Sequence, residues 1–285
     1  MEAHLIQGSK EWLDMRKNYI GGSDAPVIMN VSPYATPYQR WEQKLDLVTV
    51  KESNWAMQRG HNLEDPARLQ LEKMTGLFFL PQVKFHAKLP WMMASLDCID
   101  PEGKTMAEIK CPNKDDHAIA LSGQVPDHYY PQLQHQLEVC ELEMGYYFSF
   151  DGTAGVLVKV YRDDKYIKKM IEKEAEFWEC MQNFTPPEMT EKDYHQQTSD
   201  EWNWTALEWS EIDKQLKSLE KREKQLRDTL INLSQKKNSM GSGVRLSRYI
   251  RKGNVDYSLI PELEKIDLEK YRKKPIESYR ISSIT

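Results

Sequence analysis

Residues 94–112, ASLDCIDPEGKTMAEIKCP, restrict the fold more than any other stretch of the chain. Two β-prone runs, WMMASLDCI and TMAEIKC, flank the turn signal DPEGK, so the spacing predicts a β-hairpin. Its strands carry charge where a sheet ordinarily holds valine or isoleucine: Asp97 near the end of the first, Glu108 and Lys110 in the second. Side chains two apart on a strand share a face, so Glu108 and Lys110 point the same way. Carboxylates and an ammonium buried on one face are costly unless they pair or bind a metal. The pattern therefore predicts either an exposed, salt-bridged ribbon or a cation site. Oxygen-only ligands at a partly hydrated site suit magnesium or manganese better than zinc. A lysine beside such an ion can orient or deprotonate a water, or neutralise charge on a pentacovalent phosphate.

Around the hairpin, helical and extended patterns alternate. EWLDMR and SDAPVIMN read as short helices, with Ser23 or Asp24 as N-cap and Pro26 in the first turn. A longer helix is expected from Trp55 to Met74, closed by Gly76, and QVKFHAKL reads as a strand before the hairpin. DHYYPQLQHQLEVCE predicts a helix, GYYFSFD and GVLVKVYR two strands, and Asp164 to Asn183 a final helix before the breaker Pro186-Pro187. Helices, antiparallel strands, helix, strands and helix in that order predict an α/β (α+β) core around one mixed sheet. Three segments follow: a core over 1–187, a linker and long helix over 188–240, and a basic segment over 241–285. In the second, Ile212, Leu216, Leu219, Leu226, Leu230 and Leu233 alternate in steps of four and three, with Glu223 the polar residue in the seam. That is the stripe of a coiled-coil-type helix over about 205–237, packing either on its own domain or on another chain.

The chain has 285 residues and a formal net charge of −5, and so lacks the overall basic excess of a protein that coats nucleic acid. The average hides an asymmetry, since Lys236 to Thr285 hold twelve Lys and Arg against six Asp and Glu. A basic tail on an acidic body can hold a polyanion while the body keeps its carboxylates for cations. The four cysteines, Cys98, Cys111, Cys140 and Cys180, have neither CxxC pairing nor zinc-finger histidines, which argues against a structural zinc or iron–sulfur site and suits reduced thiols. With no signal-peptide pattern and no apolar run near the ~18 residues of a membrane span, a cytoplasmic protein without membrane partners is expected.

Four ordered stretches, EWLDMRKNYIGGSDAPVIMNVSPYATPYQRWEQK, RGHNLEDPARLQLEKMTG, ASLDCID…AEIKCP and YYPQLQHQLEV, together resemble the lambda-exonuclease/YqaJ-like family of phage recombination nucleases, within the PD-(D/E)xK superfamily. The resemblance covers residues 8 to 180. It implies a restriction-endonuclease-like core and a magnesium-dependent exonuclease, manganese substituting, that digests one strand of a duplex from its 5′ end. It also implies a ring-shaped trimer, double-stranded DNA ends as substrate, and a single-strand annealing protein as partner. By position it makes Asp97 and Glu108 the metal carboxylates, the Ile109 carbonyl a further ligand and Lys110 the lysine near the attacking water. Glu64 matches the helix-borne acid that supports the metal. Gln132 together with Gln134 or Gln136 matches the glutamine-bearing helix. Arg16 matches the arginine that holds a terminal 5′ phosphate, with Ser23 offering a hydroxyl nearby.

Gln132 and Gln136 lie one turn apart on a helix, and Gln134 points elsewhere. Cys98 departs from the glycine that commonly follows the first acid, and Asp100 is the alternative acid. Beyond residue 185 the match fails. Two rival readings remain: a structure-specific or nicking endonuclease on the same core, and a non-catalytic DNA-binding or assembly module.

Overall fold

The computed structural model describes residues 9–48 and 55–261 and, beyond them, 263, 266, 268–273, 276, 281 and 282. The chain divides into two compact units, Met1–Tyr194 and His195–Thr285.

The first unit is built on a mixed sheet. Its strands are β1 (Ile20–Gly21), β2 (Leu80–Phe85), β3 (Met92–Ile99), β4 (Met106–Lys110), β5 (Met144–Phe150) and β6 (Gly155–Tyr161). They run in the order β1-β3-β4-β5-β6, with β2 also paired to β3. The hairpin of β3 and β4 is antiparallel, whereas β1 runs parallel to β3 and β4 parallel to β5. A parallel neighbour needs a crossover connection. Between β4 and β5 that crossover is α5 (Lys114–Leu121) and α6 (Tyr130–Cys140).

Helices cover the sheet. They are α1 (Lys10–Lys17), α2 (Ala25–Ile28), α3 (Pro37–Lys44), α4 (Trp55–Thr75), α5, α6 and α7 (Asp164–Gln182). Ala94, Leu96, Met106, Tyr147 and Val158 join Leu133, Leu137 and Met170 of α6 and α7 in one core cluster. Cys98, Ala107, Ile109, Phe148 and Phe150 join Ala67 and Leu71 of α4 in a second. Along β4 the residues alternate between the two, which leaves Glu108 on the α6 side with Met106.

Two helices outside the expected set, α3 and α5, owe their starts to caps. Thr36 accepts from the Gln39 N–H while the Gln39 side chain accepts from the Thr36 N–H, a reciprocal capping box. Asn113 caps α5 through the Asp116 N–H. Conversely, Asp24 holds the N-cap position of α2 but makes no capping bond, because buried cations claim its carboxylate.

In the second unit, α8 (Asp200–Leu233) begins at the Ser199 cap, and its Ile212, Leu216, Leu219 and Leu226 stripe is exposed. The MGSG run at 240–243 lies in a folded hairpin, β7 (Ser239–Gly241) against β8 (Val244–Leu246). Its two turn residues, Ser242 and Gly243, both have positive φ, 48° and 78°, as a two-residue hairpin turn requires.

Candidate active site

The chemistry collects where β3 and β4 part. Their ladder pairs Ile99 with Met106 and Cys98 with Ala107, then stops. The next opposed residues are Asp97 and Glu108. In place of the ladder, Asp97 Oδ2 accepts the Ile109 N–H at 3.1 Å. On the other edge of β3 the register to β2 shifts between Leu80↔Ile99 and Gln82↔Leu96, so Asp97 and Cys98 together face Pro81. Proline has no N–H for a ladder, and the resulting bulge re-aims the side chain of Asp97.

Glu108, 2% exposed, is gripped from three directions. Its Oε1 accepts from Lys110 Nζ at 2.6 Å and Gln132 Nε2 at 2.5 Å, and its Oε2 from Gln136 Nε2 at 2.5 Å. The two glutamines sit one turn apart on α6, a helix buried nearly all round. Gln134, between them, bridges elsewhere, donating to the Tyr161 carbonyl and accepting the Asp163 N–H. The Lys110 ammonium also lies 5.5 Å from the ring centroid of Tyr129.

Burial and the repulsion of Glu108 raise the Asp97 carboxyl well above the usual carboxylate range, and Glu64 on α4 adds to the rise. Burial by itself would lower the Lys110 ammonium, yet Glu108 and Asp97 outweigh it and raise it. Excess negative charge therefore remains. A carboxylate oxygen has two lone pairs, and among the described residues Glu108 Oε2 accepts only from Gln136. Among the described residues, the buried Gln136 Oε1 has no donor. This surplus of oxygen acceptors fits a hard, oxygen-ligated divalent cation. Among the described residues no three His, Cys, Asp or Glu side chains form a ready-made cage. An ion would therefore rely on Asp97 and Glu108, with the Ile109 carbonyl and water completing the set, and Glu64 adding its charge from α4.

Asp100 belongs to the turn, its carboxylate accepting the Lys104 N–H at 2.7 Å. Cys98 is fully buried against Ala107 and Phe148 in the α4-side cluster, so the departure from glycine is spent on core packing.

A second cluster surrounds Arg16. Its guanidinium donates to Ser23 Oγ at 2.6 Å and lies 4.4 Å from the ring centroid of Trp12. Trp12 Nε1 in turn donates to Ser95 Oγ at 3.2 Å, two residues before Asp97. Gly22 closes the gap between clusters, because a Cβ there would stand 3.4 Å from the Cγ atoms of both Gln132 and Gln136. Beneath Arg16 lies a group that sequence reasoning missed. Asp24, 1% exposed, pairs with Lys44 at 2.5 Å and Arg40 at 3.3 Å. Lys44 also donates to the Arg16 and Tyr19 carbonyls at 2.8 and 2.6 Å, capping the C-terminal end of α1. Burial would raise the Asp24 carboxyl, but Lys44, Arg40 and Arg16 hold it down to about 2. Burial lowers the pKa of Arg16 and of Lys44. Three cations around one carboxylate leave a net positive charge beside Ser23, suited to an anion. The GGSD run at 21–24 was the available signal, a polar pair in an otherwise apolar stretch.

Residues 11–143 match the family model of the YqaJ-like viral recombinase domain. The match spans slightly less than half of the chain. That segment contains Arg16, Ser23, Glu64, Asp97, Glu108, Lys110, Gln132 and Gln136. Over 174 residues the chain is 29% identical to the uncharacterized protein YqaJ of Bacillus subtilis (strain 168), covering 59% of this chain. The aligned part spans about half of that relative, 54% of its length. The fold resembles that of the alkaline exonuclease LHK-Exo of Laribacter hongkongensis, with a TM-score of 0.54 and 22% identity. The match covers 62% of this chain and 94% of that one. The same exonuclease in complex with dAMP aligns equally well, at 23% identity. Among the described residues, no helix is long and apolar enough to cross a membrane.

Proposed function

We propose that this protein is a metal-dependent deoxyribonuclease that digests one strand of duplex DNA from its 5′ end, leaving 3′ single strands. One observation carries the reading: Asp97 and Glu108 oppose each other at the mouth of a splayed hairpin, and Lys110 and two glutamines clamp Glu108. The likeness in fold to an alkaline exonuclease supports it.

Magnesium, or manganese in its place, would be held by Asp97, Glu108 and the Ile109 carbonyl, with Glu64 adding its charge, and would supply a Lewis acid for the attacking water and the scissile phosphate. The chain's own groups do the rest. Gln132 and Gln136 fix the rotamer of Glu108 by donating to both its oxygens. The Lys110 ammonium, held charged by Glu108 and Asp97, neutralises charge developing on the phosphate and orients the water. Arg16 and Ser23 receive the terminal 5′ phosphate, and the Trp12–Ser95 bond ties that grip to the strand bearing Asp97. Polarity follows from that tether, and phosphate contacts carry no base information, so cleavage is sequence-independent. The reading extends to a trimer engaging duplex ends and passing its 3′ strand to a single-strand annealing protein.

The test is digestion of a linear duplex with a 5′ phosphate and strand-specific labels, beside a closed circle, in magnesium. Loss of the 5′-phosphorylated strand, a spared circle and a Lys110→Ala variant slowed by about 10²–10⁴-fold are expected. Cutting of the circle moves the assignment to an endonuclease, and binding without cleavage moves it to a non-catalytic module.

A further inference from the structure

Acidic residues stop abruptly in the second unit. Through Asp228, α8 carries eight Asp and Glu against six Lys and Arg. From Thr229 to Val255 there is no Asp or Glu, while Lys236, Lys237, Arg245, Arg248, Arg251 and Lys252 supply six cations. All six are exposed. A charged tail is usually just solvated. Here, however, two of the cations are held by the hairpin: Arg245 lies in β8, paired with Met240, and the Arg248 N–H donates to Asn238 Oδ1 at 2.7 Å, pinning the chain after the hairpin back to its start. Large apolar groups are interleaved, with Met240 at 78%, Tyr249 at 67% and Ile250 at 89% exposure. The Arg251 guanidinium lies 5.0 Å from the Tyr249 ring centroid, bonding its hydroxyl at 3.0 Å.

Cations spaced along an exposed ribbon, with an aromatic face among them, are the means by which proteins hold single-stranded nucleic acid: phosphates pair with the basic groups and an unpaired base stacks on the ring. A duplex hides its base faces and would leave Tyr249 unused. We infer that the β7–β8 hairpin and the segment through Lys252 form a second DNA-binding site, separate from the Asp97–Glu108 centre, that takes a single strand. The inference rests on the nuclease reading for its ligand, since 5′ resection generates such a strand.

The measurement is fluorescence anisotropy of a labelled oligonucleotide, single-stranded or duplex, with the 285-residue protein in EDTA across a salt series. Substituting Arg245, Arg248 and Arg251 together by alanine should make the slope of log K against log salt shallower by about 2, at roughly 0.7 per phosphate contact on a single strand. Tyr249→Ala should leave the slope unchanged, weaken single-strand binding about 5- to 100-fold, and spare the duplex. Wild-type affinity and slope in the triple variant would overturn the inference, as would equal behaviour of Tyr249→Ala on both DNAs. Strand digestion by the same proteins separates the two proposals. If the wild type digests DNA while the hairpin-segment variants bind normally, only the second site fails. If nothing is digested and the effects of those variants on binding appear, only the nuclease reading fails.

Discussion

Replacing Asp97 by asparagine should stabilise the metal-free protein, the reverse of what most substitutions at partly buried polar positions do. Opposed residues on adjacent strands place their Cβ atoms about 5 Å apart. Two carboxylates at that distance repel by ~3 kcal/mol at an effective dielectric near 20. Lys110, paired with Glu108 at 2.6 Å, cancels part of this, leaving ~1–3 kcal/mol for Asp97→Asn to recover. The asparagine oxygen still accepts the Ile109 N–H, so the strand contact survives. The sign with pH follows from the raised Asp97 carboxyl. The folded state keeps its proton longer than the unfolded one, so metal-free stability falls as pH rises from about 4 towards the folded pKa, and then levels. The variant should lack that slope. Magnesium reverses the order, since an ion bound at 100 times its Kd adds ~2.7 kcal/mol to the wild type and little to the variant. Urea unfolding followed by tryptophan fluorescence at pH 5, 7 and 9, in EDTA and in magnesium, reads all of this. An Asp97→Asn protein less stable than wild type in EDTA at pH 9, or stabilised equally by magnesium, would refute the argument.

Arg16→Ala should cut the preference for a 5′-phosphorylated over a 5′-hydroxyl end by about 10- to 100-fold, the worth of a charge-assisted bond, measured as a ratio of kcat/KM values. Gln134→Ala should cost ~1–3 kcal/mol by stranding the Tyr161 carbonyl and Asp163 N–H, while the rate per folded molecule holds, unlike that of Gln132→Ala or Gln136→Ala. Glu174→Ala should cost ~3–5 kcal/mol in urea unfolding, because it leaves fully buried His135, 2.8 Å from both Glu174 and the Met93 carbonyl, without its counter-charge. Burial lowers the His135 pKa, but Glu174 and the Met93 carbonyl together raise it, so this contribution is complete below about pH 6.5 and is lost as pH climbs through the folded value. Glu174→Gln should flatten that decline.

Local pattern carried much of the architecture. The helix starting at Asp164, the strands on either side of DPEGK and the α8 stripe all lie where periodicity and turn chemistry place them, since each is set by neighbours a few residues away. The spacing of Gln132, Gln134 and Gln136 likewise separated the two that share a face from the one that does not. Other features had no local origin. Pro81 opposing Asp97 and Cys98 depends on how two strands register across the sheet. The grouping of Asp24, Arg40 and Lys44 under Arg16 joins α1, α2 and α3, and its stability comes from sharing one carboxylate in a desolvated pocket, a many-body effect that no spacing encodes. By itself the sequence determined which side chains could do the chemistry and on which elements they ride. Only the tertiary structure decided which meet, because burial and Coulomb forces act across the sheet between residues far apart in the chain: Gln132 and Gln136 on Glu108, Trp12 on Ser95.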